Sequence, residues 1–303
     1  MQAKSGPQEQ ATVEDYLEAA LSKATRKAYA SDVQHFLSHG GSIPATPEQV
    51  MEYLAEAAQR LSVATIERRL IALHKAHTDQ ALQSPVMHPL VKKTMQGIRR
   101  TVGTRQRQVR AVVKDDLLAM LVMVDQQKPM KAARDRALLL LGFAGAFRRS
   151  ELVSLRCEDV TEHTSGVEIL LRHSKTDQEK AGRTVFIPYA HGSRCPVKAL
   201  RDWQSLTGIT SGWLFRAVNR HDQVSDTPLT AQSVALVVKA AVARMGGDPS
   251  VVAGHSLRAG YVTTAVMSGH QPHQIKEQTG HRSDATLARY IRPVAKRKIP
   301  SLL

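Results

Sequence analysis

The sequence has little cysteine and no long run of apolar residues. Its two cysteines, Cys157 and Cys195, do not form a CxxC pair, which argues against a structural zinc site and against a framework of disulfides. No apolar run approaches the roughly 20 residues that a membrane helix needs, and residues 1–10 lack the apolar core of a secretory signal. We therefore expect a cytoplasmic protein with no membrane partner.

Acidic residues are also fewer than basic ones. The sequence has 27 Asp and Glu and 42 Lys and Arg, which give a formal net charge of +15 at pH 7. The sequence pI is about 10.1. An excess of this size points to a polyanionic partner, and above all to nucleic acid. The sequence contains neither a phosphate-binding GxxxxGK loop nor a cluster of acidic metal ligands. We therefore expect no cofactor, neither a nucleotide nor a metal.

The length of 303 residues exceeds that of one ordinary hydrophobic core and favours two domains. Residues 11–100 show the apolar spacing of helices throughout. Several residues there are suited to capping helix N-termini: Ser22, Thr46 (followed by Pro47 and Gln49) and Ser62. Tyr29, Val33, Phe36 and Leu37 share one predicted apolar face. We expect four or five short helices packed into a bundle.

Basic residues lie on the predicted outer faces of this bundle and continue beyond it. The residues expected to contact DNA are Arg26, Lys27, Arg68, Arg69, Lys92, Lys93, Arg99, Arg100, Arg105 and Arg107. Residues 101–110 contain few apolar side chains, and positions 92–110 together hold seven basic residues. This density suits contacts to successive phosphates along a duplex, while a flexible charged tether would have the same composition.

The second half of the chain combines helices with a little β structure. Val112–Asp125 and Met130–Phe147 show helical patterns, and the apolar run in the second favours a buried helix over a membrane span. Val167–Arg172 and Arg183–Pro188 flank a polar loop and predict a β-hairpin. A short strand at Leu214–Val218 and a helix from residue 229 to residue 245 follow.

Two arginines, Arg148 and Arg149, come directly after the apolar helix. A guanidinium at the edge of a core needs a partner, and Glu151 can hold one of the two while the other faces a ligand. Lys175 and Lys180 lie in the predicted hairpin loop, which could bring a proton donor to a site.

Residues 254–291 carry the remaining reactive groups. His255 and Arg258 are three residues apart, on one face of a predicted helix. Gly280-His281 follows a short predicted helix, and Tyr290 lies on the last one. A reaction at a phosphate needs cations that hold the phosphate, an imidazole that handles protons and a nucleophile, and this segment together with Arg148 supplies all three.

Taken in order, these motifs resemble those of the tyrosine recombinases, the phage-integrase type of site-specific DNA recombinase. GAFRRSEL resembles the segment with the family's first arginine, SKTDQ its lysine hairpin and HSLR its His-x-x-Arg box. Gly280-His281 matches the family's Gly-His turn, and Tyr290 follows nine residues later, at the place of the nucleophile. The resemblance assigns a catalytic set of Arg148, Lys175, His255, Arg258, His281 and Tyr290, with Glu151 in a supporting role.

The resemblance covers nearly the whole chain and implies its fold. We expect a mainly α protein with a small antiparallel β-sheet. It implies an N-terminal helical core-binding domain of the SAM-like type at residues 1–100, a basic linker at 101–110 and an α+β catalytic domain at 111–303.

The resemblance also implies the chemistry and the partners. Tyr290 would attack a DNA phosphorus and form a 3′-phosphotyrosine, with His255 as base and Lys175 as the acid for the 5′-oxygen. Arg148 and Arg258 would clamp the phosphate, and His281 would position it. The expected partner is double-stranded DNA with inverted-repeat core sites, bound by a homotetramer that is a monomer or weak oligomer when free. Such a protein would be associated with the nucleoid.

Several alternatives remain open on sequence grounds. Arg149 competes with Arg148, and Lys180 with Lys175. A type IB topoisomerase uses the same chemistry, and a DNA-binding protein without catalysis could use the same fold. The sequence identifies neither the target DNA nor the accessory proteins. It also does not decide between cleavage in cis and in trans, or between integration, excision and resolution.

Overall fold

The computed structural model describes residues 12–13, 15–16, 20–104, 109–172, 182–281, 283–285, 287–288 and 290. The chain divides into two compact units, Met1–Arg107 and Gln108–Leu303. None of the helices in the described part of the chain has the length and apolarity that a bilayer crossing requires.

The described part of the first unit is built from helices. They are α1 (Lys23–Leu37), α2 (Pro47–Ala58), α3 (Val63–Thr78) and α4 (Pro89–Val102). The predicted caps are confirmed: the side chain of Ser22 accepts from the Thr25 N–H, and that of Ser62 from the Thr65 N–H. Thr46 and Gln49 form the predicted capping box. Capping satisfies backbone N–H groups that have no partner within the helix, so the starts of α1, α2 and α3 are set by local sequence.

The core of the first unit is formed by apolar side chains from all four helices. Phe36, Leu54, Ile66, Leu73 and Met95 are almost completely buried. The predicted apolar face of α1 is only partly correct. Phe36 points into the core, whereas Leu37 remains 38% exposed.

The prediction that Arg69 lies on an outer face is wrong. Its side chain is buried, and its Nη1 donates to the Tyr53 hydroxyl at 2.7 Å. Asp32, which is also buried, lies 3.6 Å from Arg69 Nε and accepts two hydrogen bonds from Arg68 at 2.8 Å each. A buried carboxylate needs cationic partners, so these two arginines join α3 to α1. Half of the Arg68 side chain remains exposed.

The second unit contains the remaining helices and all the described strands. Its helices are α5 (Lys114–Val124), α6 (Pro129–Ala144), α7 (Arg149–Ser154), α8 (Pro196–Thr207), α9 (Ala231–Arg244), α10 (Ser256–Met267) and α11 (Pro272–Thr279). Its strands are β1 (Val160–His163), β2 (Gly166–Leu171), β3 (Arg183–Pro188), β4 (Arg216–Val218) and β5 (Val224–Pro228).

Helix α6 forms the centre of the second unit. Leu138, Leu139 and Leu141 are completely buried, and the helix packs against α5, α8 and α10. The prediction of a buried core helix is therefore confirmed. Helix α8, which the sequence patterns did not predict, buries Trp203, whose indole N–H donates to the Leu214 carbonyl at 2.8 Å.

The first sheet is antiparallel in the order β1-β2-β3. β2 and β3 pair in the register Ile169 opposite Val185 and Leu171 opposite Arg183, so the predicted hairpin is confirmed. Its inward side chains, Val167 and Ile169 among them, are buried. The loop with Lys175 and Lys180 lies outside the described residues. β4 and β5 form a second, two-stranded antiparallel sheet. The fold is thus mainly helical with small antiparallel sheets, as predicted.

Candidate active site

The candidate site begins at the turn between α6 and α7. Ala146 in this turn has a left-handed φ of 48°, a conformation that is uncommon for a residue with a side chain. Its carbonyl oxygen accepts a hydrogen bond of 2.7 Å from Nη1 of Arg258 on α10. Arg148, two residues later, is the N-cap of α7. The turn therefore places one arginine of the predicted set and contacts the other.

Glu151 holds Arg148 in a fixed position, as the sequence predicted that it could hold one of the two arginines. Its two carboxylate oxygens accept from Nη1 of Arg148 at 2.6 Å and from the Arg148 backbone N–H at 2.8 Å. The Glu151 side chain is 2% exposed and that of Arg148 is 13% exposed. Arg149, the competing arginine, begins α7 with its side chain exposed. The structure thus distinguishes the two neighbours, since only Arg148 is both held and partly buried.

Arg258 has an incomplete set of hydrogen bonds. The residue is 1% exposed, and within the described residues its buried Nη2 has no partner. Burial and the repulsion of Arg148 lower the pKa of its guanidinium to about 10, so it stays positively charged at neutral pH. An unpaired buried donor costs about 1–3 kcal/mol, and more when it is charged. A bound anion would remove that cost.

His281 lies in the turn after α11, as predicted. Gly280 ends α11 in the left-handed conformation, with φ 65°. His281 is 8% exposed, and its Nδ1 lies 2.7 Å from the hydroxyl oxygen of Thr279. Burial and the charges of Arg258 and Arg148, with smaller effects from His255 and Arg183, lower the pKa of its imidazole to about 4. The ring is therefore neutral at neutral pH in the free protein.

His255 and Tyr290 complete the described part of the predicted set. His255 is the N-cap residue of α10 and keeps part of its surface exposed to solvent. Desolvation of the ring and repulsion by Arg258 lower the pKa of His255. The ring centroids of His281 and Tyr290 are 6.0 Å apart. Arg148, His255, Arg258, His281 and Tyr290 are thus near enough to influence one another, whereas Lys175 falls outside the described residues.

The sequence patterns did not single out Arg183, the first residue of β3. Its guanidinium donates to the carbonyl of Gln278 at 3.1 Å and to that of Thr279 at 3.4 Å, at the end of α11. A Cβ on residue 280 would meet its Nε at 2.8 Å, so Gly280 is required for this contact as well as for the turn. Burial and the charge of Arg148 lower the pKa of Arg183. The sequence signal for Arg183 was its position shortly after the hairpin loop that contains Lys175 and Lys180.

The residues predicted to contact DNA differ in their exposure. Lys27, Lys92, Lys93 and Arg100 are exposed, and Arg26 is partly exposed. Arg99 is exposed but pairs with Glu67 at 2.8 Å. Arg68 and Arg69 are held by Asp32, as described above, and Arg105 and Arg107 lie outside the described residues.

A group of cations, imidazoles and a phenol is suited to the transfer of phosphoryl groups. The chain belongs to the phage integrase family, whose model matches residues 110–297. A second model, the N-terminal SAM-like domain of phage integrases, matches residues 14–78. The chain is thus a tyrosine recombinase by family, and its class of reaction is the breakage and rejoining of DNA.

Individual relatives agree with this family. The chain is 37% identical over 284 residues to an integrase/recombinase XerD homologue of Selenomonas ruminantium, covering 91% of this chain and 83% of the relative. A lambda integrase dimer bound to a COC′ core site has a TM-score of 0.67 and 17% identity, covering 96% of this chain and 77% of that one. A lambda integrase tetramer bound to a Holliday junction has a TM-score of 0.61 and 16% identity, covering 89% and 75%. At 17% and 16% identity, these two structures show that this chain shares their fold.

Proposed function

We propose that this protein is a site-specific recombinase that cleaves and rejoins DNA through a covalent 3′-phosphotyrosine. The observation that carries the proposal is Arg258. Its guanidinium is buried beside Arg148, and within the described residues one of its nitrogens has no partner. A non-bridging oxygen of a DNA phosphate has the charge and the hydrogen-bonding capacity that this nitrogen requires.

The two arginines act as a clamp on the phosphate. Arg148, held by Glu151, and Arg258, held by the Ala146 carbonyl, need little reorganisation when the phosphate arrives. Charge that develops on the phosphate oxygens in the transition state is then stabilised by groups already in place. Loss of one such contact costs about 3–4 kcal/mol in the comparable case of oxyanion-hole donors.

Tyr290 supplies the nucleophile. Its phenolic oxygen attacks phosphorus, the bond from phosphorus to the 5′-oxygen breaks, and the phenolic proton passes to a base, which we assign to His255. The low pKa of His255 in the free protein leaves its ring neutral and able to accept this proton. Lys175 gives a proton to the departing 5′-oxygen, an assignment that rests on the sequence motif.

The phosphotyrosine conserves the energy of the broken ester bond. A 5′-hydroxyl from another strand can therefore attack the phosphorus, release Tyr290 and rejoin the DNA without ATP. The same groups act in both directions, because the reverse step passes through the same transition state.

The proposed partner is a DNA duplex with inverted-repeat core sites. Two protomers related by a two-fold axis read the same sequence on opposite strands, which requires inverted repeats. Exchange between two duplexes requires two cuts in each, and so four protomers. The dimer and tetramer of lambda integrase on DNA support this assembly. Action on cellular DNA would place the protein at the nucleoid.

The proposal is tested with Tyr290→Phe, which keeps the ring and removes the attacking oxygen. The variant first selects a binding site from a pool of duplexes with a randomised core. That site is then nicked close to the cleavage point, so that religation is blocked, and offered to both proteins. We expect the wild type to form a covalent protein–DNA adduct and the variant to bind without forming one.

Three outcomes would contradict the proposal. An adduct with Tyr290→Phe would show that another residue is the nucleophile. Binding without any adduct by the wild type would indicate a DNA-binding protein without catalysis. Relaxation of supercoiled plasmids that lack the selected site would favour a topoisomerase.

A further inference from the structure

Thr279 is a buried hydroxyl that touches the reactive imidazole directly. It is the last residue of α11 and is 0% exposed. Its hydroxyl oxygen lies 2.6 Å from the Ile275 carbonyl oxygen, one turn earlier, and 2.7 Å from Nδ1 of His281. Both distances are those of good hydrogen bonds.

These two contacts determine where the proton of the neutral imidazole lies. A carbonyl oxygen only accepts, so the single hydroxyl proton of Thr279 must be donated to Ile275. The hydroxyl oxygen can then only accept from His281. Nδ1 of His281 therefore carries the proton, and Nε2 does not.

The second ring nitrogen is left for the ligand. Within the described residues, no hydrogen bond engages Nε2 of His281. Among the described residues, the charged and titratable groups around the ring are Arg258 on α10, Arg148 at the start of α7, Arg183 on β3, His255 and Tyr290. When a phosphate binds among these groups, its negative charge favours protonation of the ring. The imidazolium can then donate one hydrogen bond from Nδ1 to Thr279 and another from Nε2 to the phosphate.

We propose that Thr279 is a positioning residue that fixes the tautomer and the orientation of His281, so that Nε2 faces the phosphate. The inference rests on the proposed function for its catalytic consequence but not for the tautomer itself. Arg183 supports the same device, since it holds the carbonyls of Gln278 and Thr279 and so fixes the end of α11.

The chain provides a matched control in Thr207. It is the last residue of α8, its hydroxyl donates to the Trp203 carbonyl at 2.7 Å, and Gly208 follows in the left-handed conformation. Thr207 thus repeats the local structure of Thr279, but the residue two positions later is Ile209 instead of a histidine. Thr207→Val removes the same local hydrogen bond without touching the site.

The first experiment reads the tautomer by ¹⁵N NMR of histidine-labelled full-length protein without DNA, with the His281 signal assigned from a His281→Asn variant. We expect the Nδ1–H form in the wild type, in Thr279→Ser and in Thr207→Val. In Thr279→Val the Nε2–H form should become populated, because the acceptor for Nδ1–H is lost. An unchanged tautomer in Thr279→Val, or an Nε2–H form in the wild type, would overturn the inference. This result is independent of whether the protein cleaves DNA.

The second experiment measures cleavage of the nicked duplex described above. Thr279→Val should cleave at least about tenfold more slowly while binding the duplex as the wild type does, because a misplaced catalytic group affects the chemical step. Its rate should also begin to fall at a lower pH than that of the wild type, since the imidazolium has lost an acceptor and loses its proton more readily. Thr279→Ser should restore the rate, and Thr207→Val should leave it unchanged. Equal rates and pH profiles for Thr279→Val and the wild type would refute the positioning role.

Discussion

Buried arginines with different surroundings play different parts in this protein. Arg69 lies in the first unit with a carboxylate, Asp32, 3.6 Å from its Nε and with the Tyr53 hydroxyl as acceptor. Arg258 has a single carbonyl as acceptor among the described residues, and the charges of Arg148 and Arg183 repel it. A buried guanidinium beside a carboxylate serves the fold, whereas one whose acceptor is a carbonyl and whose neighbours include other cations is suited to an anionic ligand.

The low pKa of His281 predicts a stability that depends on pH. The imidazole titrates at about 4 in the folded protein, against 6.5 for the unperturbed group. Between these pH values the unfolded chain binds more protons than the folded one, so the free energy of unfolding falls as the pH falls from about 6.5 to about 4. The whole difference corresponds to about 3 kcal/mol.

This prediction is checked by urea unfolding of the wild type and of His281→Asn at pH 7.5 and at pH 4.5. The wild type should lose more stability on acidification than the variant, by an amount on the order of 2–3 kcal/mol. The other histidines contribute to both proteins alike. Equal losses in the two proteins would mean that the folded environment does not exclude the proton from His281.

At the scale of elements, the second unit depends on close packing of α10 against the segment before α5. The Val112 N–H donates to the Ser256 carbonyl at 3.0 Å, which brings this extended backbone onto the first turn of α10. Gly260 lies one turn further along, where a Cβ would approach the Val112 carbonyl oxygen to 1.6 Å. Only glycine leaves room for this contact, and α10 carries Arg258 and begins directly after His255.

Gly260→Ala should therefore destabilise the second unit by about 3 kcal/mol or more, because the backbone of one element must move. The matched control is Gly97→Ala in α4, where a Cβ would have no neighbour within 4 Å. That variant should be neutral or stabilising by about 0.5–1 kcal/mol, since alanine is the better helix former. Thermal unfolding of both variants checks the pair, and similar melting temperatures would contradict it.

At the scale of the whole molecule, the net charge of +15 is divided between exposed groups and groups that hold the fold together. Lys92 and Lys93 are exposed on α4, whereas Arg69 is buried. Exposed lysines can contact DNA phosphates without disturbing the fold of the protein. Each such contact adds to the salt dependence of DNA binding.

The double variant Lys92→Gln/Lys93→Gln should bind DNA more weakly and with a shallower salt dependence. The slope of log K against log salt should fall by about 0.9 per lost phosphate contact, with no change in stability. Arg69→Gln should instead lower stability by roughly 3 kcal/mol, because it breaks a buried ion pair. Binding titrations at several salt concentrations, with melting curves, separate the two effects. If the Arg69→Gln variant is as stable as the wild type but binds DNA poorly, Arg69 contacts DNA after all.

Local sequence determined those elements whose signals lie within a few residues of each other. The starts of α1, α2 and α3 follow from the residue directly before each helix, whose side chain accepts a hydrogen bond from the backbone N–H three residues later. The β2–β3 hairpin follows from two apolar segments on either side of a polar loop. Two elements gave weaker local signals. α8 begins with Cys195 as its N-cap residue, and β1 is a short, mostly exposed edge strand.

The spacing of His255, Arg258, His281 and Tyr290 identified the family and the candidate catalytic groups from sequence alone, because motifs of this kind are local. Tertiary structure decided how deeply these groups are buried and which hydrogen-bond partners they have. Arg258 meets the Ala146 carbonyl 112 positions away, and Arg68 meets Asp32 36 positions away. The proton on His281 depends on the hydroxyl geometry of Thr279. Burial and hydrogen-bond partners arise from packing between distant segments, so no local pattern could specify them.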